Sequence, residues 1–305
     1  MMNRGLRFHL QLADGGRWGL MSSPGTSEWL GRFAKVLELA PGVEPGDRKL
    51  VFLHEEELGR MGHVEAIVPG ANVEYPSAGW ETRDIGMMKF GTHTEREDVV
   101  CLLREPDAWE TEYMKMGESL LPVFHHAAST GGIPFHCALV EKDGQGILLG
   151  ASGGIGKSTC ARRIPAPWHA LADDEALIVK TAPQTYVVHP FPTWSDYLWR
   201  RSERTWHVQN HVPLRAIFFL EQSETDLAIP VGQGQAAVTI NHLAGQVCAF
   251  SWRELPAREL YAFRLGFFHN ASEISRSIPS FTLKVSLNGQ FWTEIERVMG
   301  MTNDE

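Results

Sequence analysis

The stretch "LLGASGGIGKST", residues 148–159, contains the most informative motif of the sequence. It fits a phosphate-binding pattern in which a small residue and four variable residues precede Gly-Lys and a hydroxyl residue. Ala151 takes the first position, where the strict form has glycine. An apolar strand-like run precedes the loop, and about two helical turns fit between Lys157 and Pro165. A chance glycine turn would lack these flanking elements, so the sequence predicts a phosphate cradle between a strand and a short helix.

The residue types of this loop suit a nucleoside triphosphate. Glycines let the backbone turn tightly and direct N–H groups at phosphate oxygens. The lysine places a positive charge on the β- and γ-phosphates, and the hydroxyl of Ser158 can coordinate Mg²⁺. We therefore expect a nucleoside triphosphate and Mg²⁺ as cofactors, and ATP enters with the kinase hypothesis below. The predicted nucleotide-binding residues are Ser152, Gly153, Gly154, Ile155, Gly156, Lys157, Ser158 and Thr159.

Two adjacent carboxylates follow the loop at a short distance. Asp173 and Asp174, in "ALADDEALIV", come 16 and 17 residues after Lys157. A doubly wound protein with such a loop usually inserts a full helix and a parallel strand, in a βαβ unit of about 30 residues. The shorter gap favours a mixed or antiparallel sheet. One carboxylate can hold a metal while the other accepts a proton, although an acidic turn leading into a strand is the plain alternative.

The chain is predicted to contain two α/β parts. We place the boundary near residue 110, between an N-terminal α/β region (1–110) of unknown role and a second part (111–305) that holds the loop. Within the second part, "TWSDYLWRRSERTW" (193–206) mixes aromatic residues with arginines. This segment predicts a peptide-docking or nucleotide-base surface, or else a helix with a solvated basic face.

Turn signals predict the local structure around the loop. Asp143-Gly144 lies between two apolar runs and predicts a hairpin whose second strand enters the loop. "TAPQT" (181–185) predicts another hairpin after the acidic pair. Pro122 is expected to kink or divide the helix in which it lies.

Composition excludes several classes of protein. The chain has 305 residues, 43% of them hydrophobic, and a formal net charge of −9. This net negative charge argues against a nucleic-acid-binding protein. The four cysteines are far apart and form no CxxC pair, which favours a reducing cytoplasm over a disulfide framework. No apolar run approaches the roughly 20 residues that cross a bilayer. We expect a cytoplasmic protein without a membrane span. Whether it forms a homo-oligomer stays open.

The loop and the acidic pair, taken with a histidine, resemble a known family. His136 precedes Lys157 by 21 residues, and "ASGGIGKSTCARRIPAPWHALADDEALIV" (151–179) resembles HPr kinase/phosphorylase and its kinase-only relatives. The chain is similar to the small HPr kinase-like proteins of peptide-modification cassettes, such as the ScmC proteins of SynChlorMet cassettes and the lasso-peptide precursor kinases. The resemblance covers roughly residues 113–300. It implies an HPr kinase/PEP carboxykinase-like P-loop core with a mixed sheet.

The resemblance also implies a role for each matching residue. Asp173 would take the proton from a substrate serine, and Asp174 would help Ser158 to hold Mg²⁺. His136 would lie near the transferred phosphate or tune Asp173. The Glu-Ile-Arg-Gly signature of the bifunctional enzymes has no counterpart after the acidic pair, so we expect no phosphorylase activity.

Three functions stay open at this point. The first, which we favour, is an ATP-dependent kinase that phosphorylates a serine of a peptide or protein in a biosynthetic cassette. The second is a catalytically weak ATP-binding partner protein in such a cassette. The third is a small-molecule kinase or a PEP carboxykinase-like enzyme, which would need a further metal-binding histidine and lysine. Asp173 separates the first two, because a binding protein needs no base.

Overall fold

A computed structural model describes residues 5–42, 46–104, 109–199 and 203–301 of the chain. The mixed α/β class is confirmed, because the described residues form two mixed sheets flanked by helices. The chain divides into two compact units. Unit 1 comprises Met1–His126, Trp194–Gln209 and Phe250–Pro256, and unit 2 comprises Ala127–Thr193, Asn210–Ala249 and Ala257–Glu305. The expected boundary near residue 110 stays a prediction. No helix in the described part of the chain has both the length and the apolarity to cross a bilayer.

The helices and strands alternate along much of the chain. In chain order they are β1 (Arg7–Gln11), β2 (Arg17–Ser22), α1 (Ser27–Val36), β3 (Arg48–His54), α2 (Glu55–Met61), α3 (Val64–Ile67), β4 (Trp80–Ile85), β5 (Met88–His93), β6 (Val99–Leu103), α4 (Trp109–Glu118), α5 (Leu121–Ser129), β7 (Ile133–Lys142), β8 (Gln145–Gly150), α6 (Lys157–Arg163), β9 (His169–Ala172), β10 (Glu175–Ala182), β11 (Thr185–Phe191), α7 (Trp194–Leu198), β12 (Val212–Gln222), β13 (Leu227–Pro230), α8 (Gln233–Trp252), α9 (Ala257–Ser277), β14 (Ser280–Val285) and α10 (Phe291–Met299).

Unit 1 is built on a sheet with the strand order β1-β2-β3-β6-β5-β4. Its central strands β2, β3 and β6 are parallel, and the outer strands pair antiparallel. α1 connects β2 to β3 and buries Trp29, Leu30 and Phe33, an i, i+1, i+4 pattern typical of a helix with one apolar face. In segment 193–206, helix α7 spans five residues, and Arg200 and Arg201 lie outside the described residues. Its two interpretations therefore stay open.

Unit 2 is built on a sheet with the strand order β11-β10-β7-β8-β12-β14-β13, and β9 also pairs with β7. Strands β8, β12 and β14 are parallel, whereas β7 is antiparallel to β8, β9 and β10. One face of this sheet packs on α6 and α10 through a core that includes Leu149, Cys160, Phe218, Phe291 and Ile295. The burial of this face holds the short α6 in place behind the glycine loop.

Strand β7 aligns the start of the glycine loop with the acidic pair. On one edge its Cys137 pairs with Gly150, the last residue of β8. On the other edge the chain passes from β9 to β10, and the amide of Cys137 donates to the carbonyl of Asp174 at 2.9 Å. The start of the glycine loop and the acidic pair therefore flank the same residue of β7.

The local predictions in this region are confirmed. The Asp143-Gly144 turn closes the β7–β8 hairpin with φ of +53° and +72°, as a two-residue turn with left-handed residues requires. The second hairpin joins β10 to β11. Pro122 lies where the predicted helix is divided into α4 and α5.

The entry into β7 depends on a buried amide. The Asn270 side chain on α9 is buried and donates from Nδ2 to the carbonyls of Ala128 and Gly132, at 2.7 and 2.9 Å. We expect Asn270→Ala to lower the free energy of unfolding by about 2–4 kcal/mol, because two carbonyls lose a donor. Asn270→Asp should lower the free energy of unfolding at least as much, because a carboxylate would face two carbonyl oxygens. Urea unfolding of both variants tests this prediction. An Asn270→Asp variant with the same free energy of unfolding as the wild type would contradict it.

Candidate functional site

The glycine loop, residues 151–156, joins the carboxyl end of β8 to α6. Gly154 and Gly156 have φ of +82° and +122°, values that favour glycine. A Cβ atom built on Gly153, Gly154 or Gly156 would meet no other atom within 4 Å. These glycines therefore border open space, and their main chain is accessible to a ligand.

Lys157, the first residue of α6, is buried, with 6% of its surface exposed. Burial lowers the pKa of this lysine, and the charges of Asp174 and Asp173 oppose the shift. No ion pair or hydrogen bond joins the Lys157 ammonium to a residue in the described ranges. A partly desolvated ammonium without a direct partner is stabilised by an anion that neutralises it. The chemistry of this position therefore suits an anionic ligand.

The two adjacent aspartates have different partners. Asp173 Oδ1 accepts a hydrogen bond from the Thr193 hydroxyl at 2.5 Å. Its main-chain oxygen accepts one from Ser158 Oγ at 3.3 Å, which joins α6 to the acidic pair. Asp174 Oδ1 instead lies 3.1 Å from Nε2 of His136. No hydrogen bond from a described residue reaches the second carboxylate oxygen of Asp173, so this oxygen can accept a proton or a hydrogen bond.

His136 belongs to a chain of hydrogen bonds that ends in the glycine loop. Its Nδ1 lies 2.7 Å from Oε1 of Gln246 on α8. The amide nitrogen of Gln246 lies 3.0 Å from Ser152 Oγ and 3.0 Å from His242 Nε2. The side chains of His136 and Asp174 are 18% and 29% exposed, so a ligand can reach them.

Glu175 and Cys137 add little charge beside Asp174. Burial of the Glu175 carboxyl group, reinforced by the charge of Asp174, raises its pKa to about 8. Burial also raises the pKa of the Cys137 thiol. Both groups are mostly neutral at pH 7, so neither a third carboxylate nor a thiolate nucleophile is favoured here.

The structure brings several of the predicted site residues together. Asp174, His136 and Ser152 belong to one hydrogen-bonded chain, and Ser158 contacts Asp173. Two predicted nucleotide-binding residues have other surroundings. The side chain of Ile155 packs against the core of unit 2, and Thr159 lies half-buried on α6. The role of each residue in binding or catalysis stays a prediction.

Sequence reasoning missed three polar residues of the site. Thr193 and Gln246 contact the acidic pair and His136, and Gln222 donates to the main-chain oxygen of Ile155 at 3.1 Å. Gln246 lies 110 residues from His136 in the sequence. No short-range spacing rule connects these positions, because strand and helix packing brings them together.

The raised pKa of Glu175 predicts a dependence of stability on pH. A carboxyl group whose pKa is raised in the folded state gives its full stability below the unfolded pKa of about 4.3. That stability is lost as the pH rises through the folded value of about 8. We expect Glu175→Gln to exceed the wild type in free energy of unfolding at pH 8, with a difference that narrows toward pH 5.

Urea unfolding at several pH values, in EDTA and without nucleotide, measures this difference. The exposed Glu221 provides the control variant Glu221→Gln, which also removes one negative charge. A difference between Glu175→Gln and the wild type that does not change with pH would contradict the assignment.

Comparison with known proteins identifies the family. The family model of the SynChlorMet cassette protein ScmC matches residues 99–300, more than half of the chain. A search of curated proteins gives no match. The matched range contains the glycine loop, the acidic pair, His136 and Gln246, and it confirms the expected similarity to the ScmC proteins. On this match, the chain belongs to the ScmC family of SynChlorMet cassette proteins.

Proposed function

We propose that this chain has an HPr kinase-like P-loop core and acts as an ATP-dependent kinase on a serine of a peptide or protein in its cassette. One observation carries the proposal. The Lys157 side chain is buried, its ammonium has no direct partner in the described chain, and the residue adjoins an open glycine loop. A triphosphate suits this arrangement, because its oxygens accept from main-chain N–H groups and neutralise the lysine.

The oxygen donors beside the loop suit Mg²⁺. Mg²⁺ in proteins is commonly held by one or two carboxylates, together with water and substrate phosphates. Ser158 Oγ and the Asp174 carboxylate would be the protein ligands. When bound, Mg²⁺ neutralises phosphate charge. His136 would hold Asp174 for this task, since its Nε2 lies 3.1 Å from the Asp174 carboxylate.

Asp173 is the best candidate for the base. Its Oδ1 is held by the Thr193 hydroxyl, and its other oxygen accepts no hydrogen bond from the described residues. The second oxygen can therefore take the proton of a serine hydroxyl as that hydroxyl attacks phosphorus. A catalytically weak ATP-binding partner protein would share the loop and Lys157 but would not need this oxygen, so turnover separates the two functions.

Replacing Lys157 tests the phosphate cradle. Lys157→Met keeps most of the side-chain volume and removes the charge. We expect Mg-ATP affinity to fall about 10- to 100-fold, the equivalent of a charged hydrogen bond. The ligand-free protein should keep or gain thermal stability, because the substitution removes a partly desolvated charge. Calorimetric titration and thermal unfolding measure both effects, with Arg162→Met as a control for an exposed cation on the same helix. Unchanged affinity in a folded Lys157→Met variant would contradict the cradle.

Paired substitutions test the acidic residues. Asp173→Asn should retain Mg-ATP binding and lose phosphoryl transfer by about 100-fold or more, because an amide cannot accept the proton. Asp174→Asn should instead raise the Mg²⁺ concentration needed for half-maximal activity. The assay measures ATP binding and turnover of both variants on a serine-containing peptide encoded beside the gene. Normal turnover by Asp173→Asn would exclude Asp173 as the base. Tight ATP binding without transfer by the wild type would favour the binding-partner function.

A further inference from the structure

We propose that Gln246 is a positioning residue that ties the orientation of His136 and Asp174 to the glycine loop. The inference rests on the proposed function, which it deepens. The Gln246 amide lies between the two parts of the site, 2.7 Å from His136 Nδ1 and 3.0 Å from Ser152 Oγ. It therefore joins the loop expected to bind phosphate to the carboxylate expected to hold the metal.

An amide suits this position because it donates and accepts without carrying charge. Its oxygen accepts from the Nδ1–H of His136, and its two N–H groups face Ser152 Oγ and His242 Nε2. The ring then turns its Nε2 toward Asp174, and because a carboxylate oxygen accepts, the imidazole makes both bonds only when both ring nitrogens carry a proton. A carboxylate in place of the amide could accept from His136 but could not donate to Ser152.

Helix α8 holds Gln246 at a defined place beside the loop. Leu243 and Ala244, just before Gln246, are buried, and so is Cys248 just after it. A Cβ atom on Gly150 would lie 2.9 Å from Cδ1 of Leu243, so α8 packs closely on the residue from which the loop starts. Because packing holds α8 beside Gly150, a displacement of Ser152 should be transmitted through the Gln246 side chain.

A second contact joins the α6 end of the loop to the acidic pair, but it acts differently. Ser158 Oγ donates to the main-chain oxygen of Asp173 at 3.3 Å. That bond restrains the main chain and leaves the direction of the Asp174 carboxylate free. Gln246 acts on this carboxylate through His136. Its loss should therefore impair catalysis more than nucleotide binding.

The first experiment compares Gln246→Ala with Gln235→Ala, an exposed glutamine on the same helix. We expect Gln246→Ala to lower kcat about 10- to 100-fold through misplacement of catalytic groups. Mg-ATP affinity should stay within about threefold of the wild type, a smaller change than the loss of one good contact would cause. The ring ¹⁵N resonances of His136 should shift in ligand-free Gln246→Ala and in Gln246→Glu, but not in Gln235→Ala. Unchanged resonances in Gln246→Ala would overturn the proposal.

A double-mutant cycle tests the path to the loop. If Gln246 acts through Ser152, Ser152→Ala combined with Gln246→Ala should reduce kcat no further than Gln246→Ala alone. If the double variant instead loses kcat by the product of the two single effects, the coupling between Ser152 and Gln246 is overturned. The ring resonances are recorded without nucleotide, so they decide the role of Gln246 even if the wild type transfers no phosphate. If the wild type neither binds ATP nor turns it over, that result would contradict the proposed function but not the positioning role of Gln246.

Discussion

The main-chain hydrogen bond from Cys137 to Asp174 is the contact on which the site depends. Cys137 also pairs with Gly150 on its other edge, so one residue of β7 aligns the acidic pair with the start of the glycine loop. The alternation of side chains along β7 then directs the neighbouring His136 to the face where Gln246 lies. A slip of one residue in this pairing would turn His136 to the opposite face and separate it from Asp174.

The same pairing explains why the acidic pair follows the loop so soon. β8 and β9 are both antiparallel to β7, one on each edge, so their carboxyl ends lie at the same end of the sheet. The chain has only to pass from one edge of β7 to the other, through the seven-residue α6 and the four-residue β9. A parallel neighbour reached by a full crossover helix would need more residues. The short spacing is therefore a property of the mixed sheet.

Local chemistry made part of this fold predictable. The Asp143-Gly144 turn, the helix division near Pro122 and the short α6 each depend on residues close together in sequence, and each is confirmed. The loop and the acidic pair also consist of residues close together in sequence, so they could be recognised as motifs, but their roles stay predictions. The contacts of Gln246 and Thr193 could not be predicted, because they depend on how α8 packs and on where the chain goes after β11. The excursion of residues 194–209 and 250–256 into unit 1 is equally non-local.

The charges of the site are arranged so that Lys157 stays unpaired although two aspartates lie near it. Thr193 binds Asp173 and His136 binds Asp174, and both contacts use oxygens that could otherwise pair with the lysine. Burial meanwhile lowers the pKa of Lys157, which shows the cost of leaving its charge unpaired. An aspartate bound directly to the ammonium would stabilise the free protein but compete with an incoming anion. The fold thus holds the aspartates apart from the lysine, and this is the division of charge that the proposed phosphoryl transfer would require, with the cation facing phosphate and the carboxylates serving metal and proton.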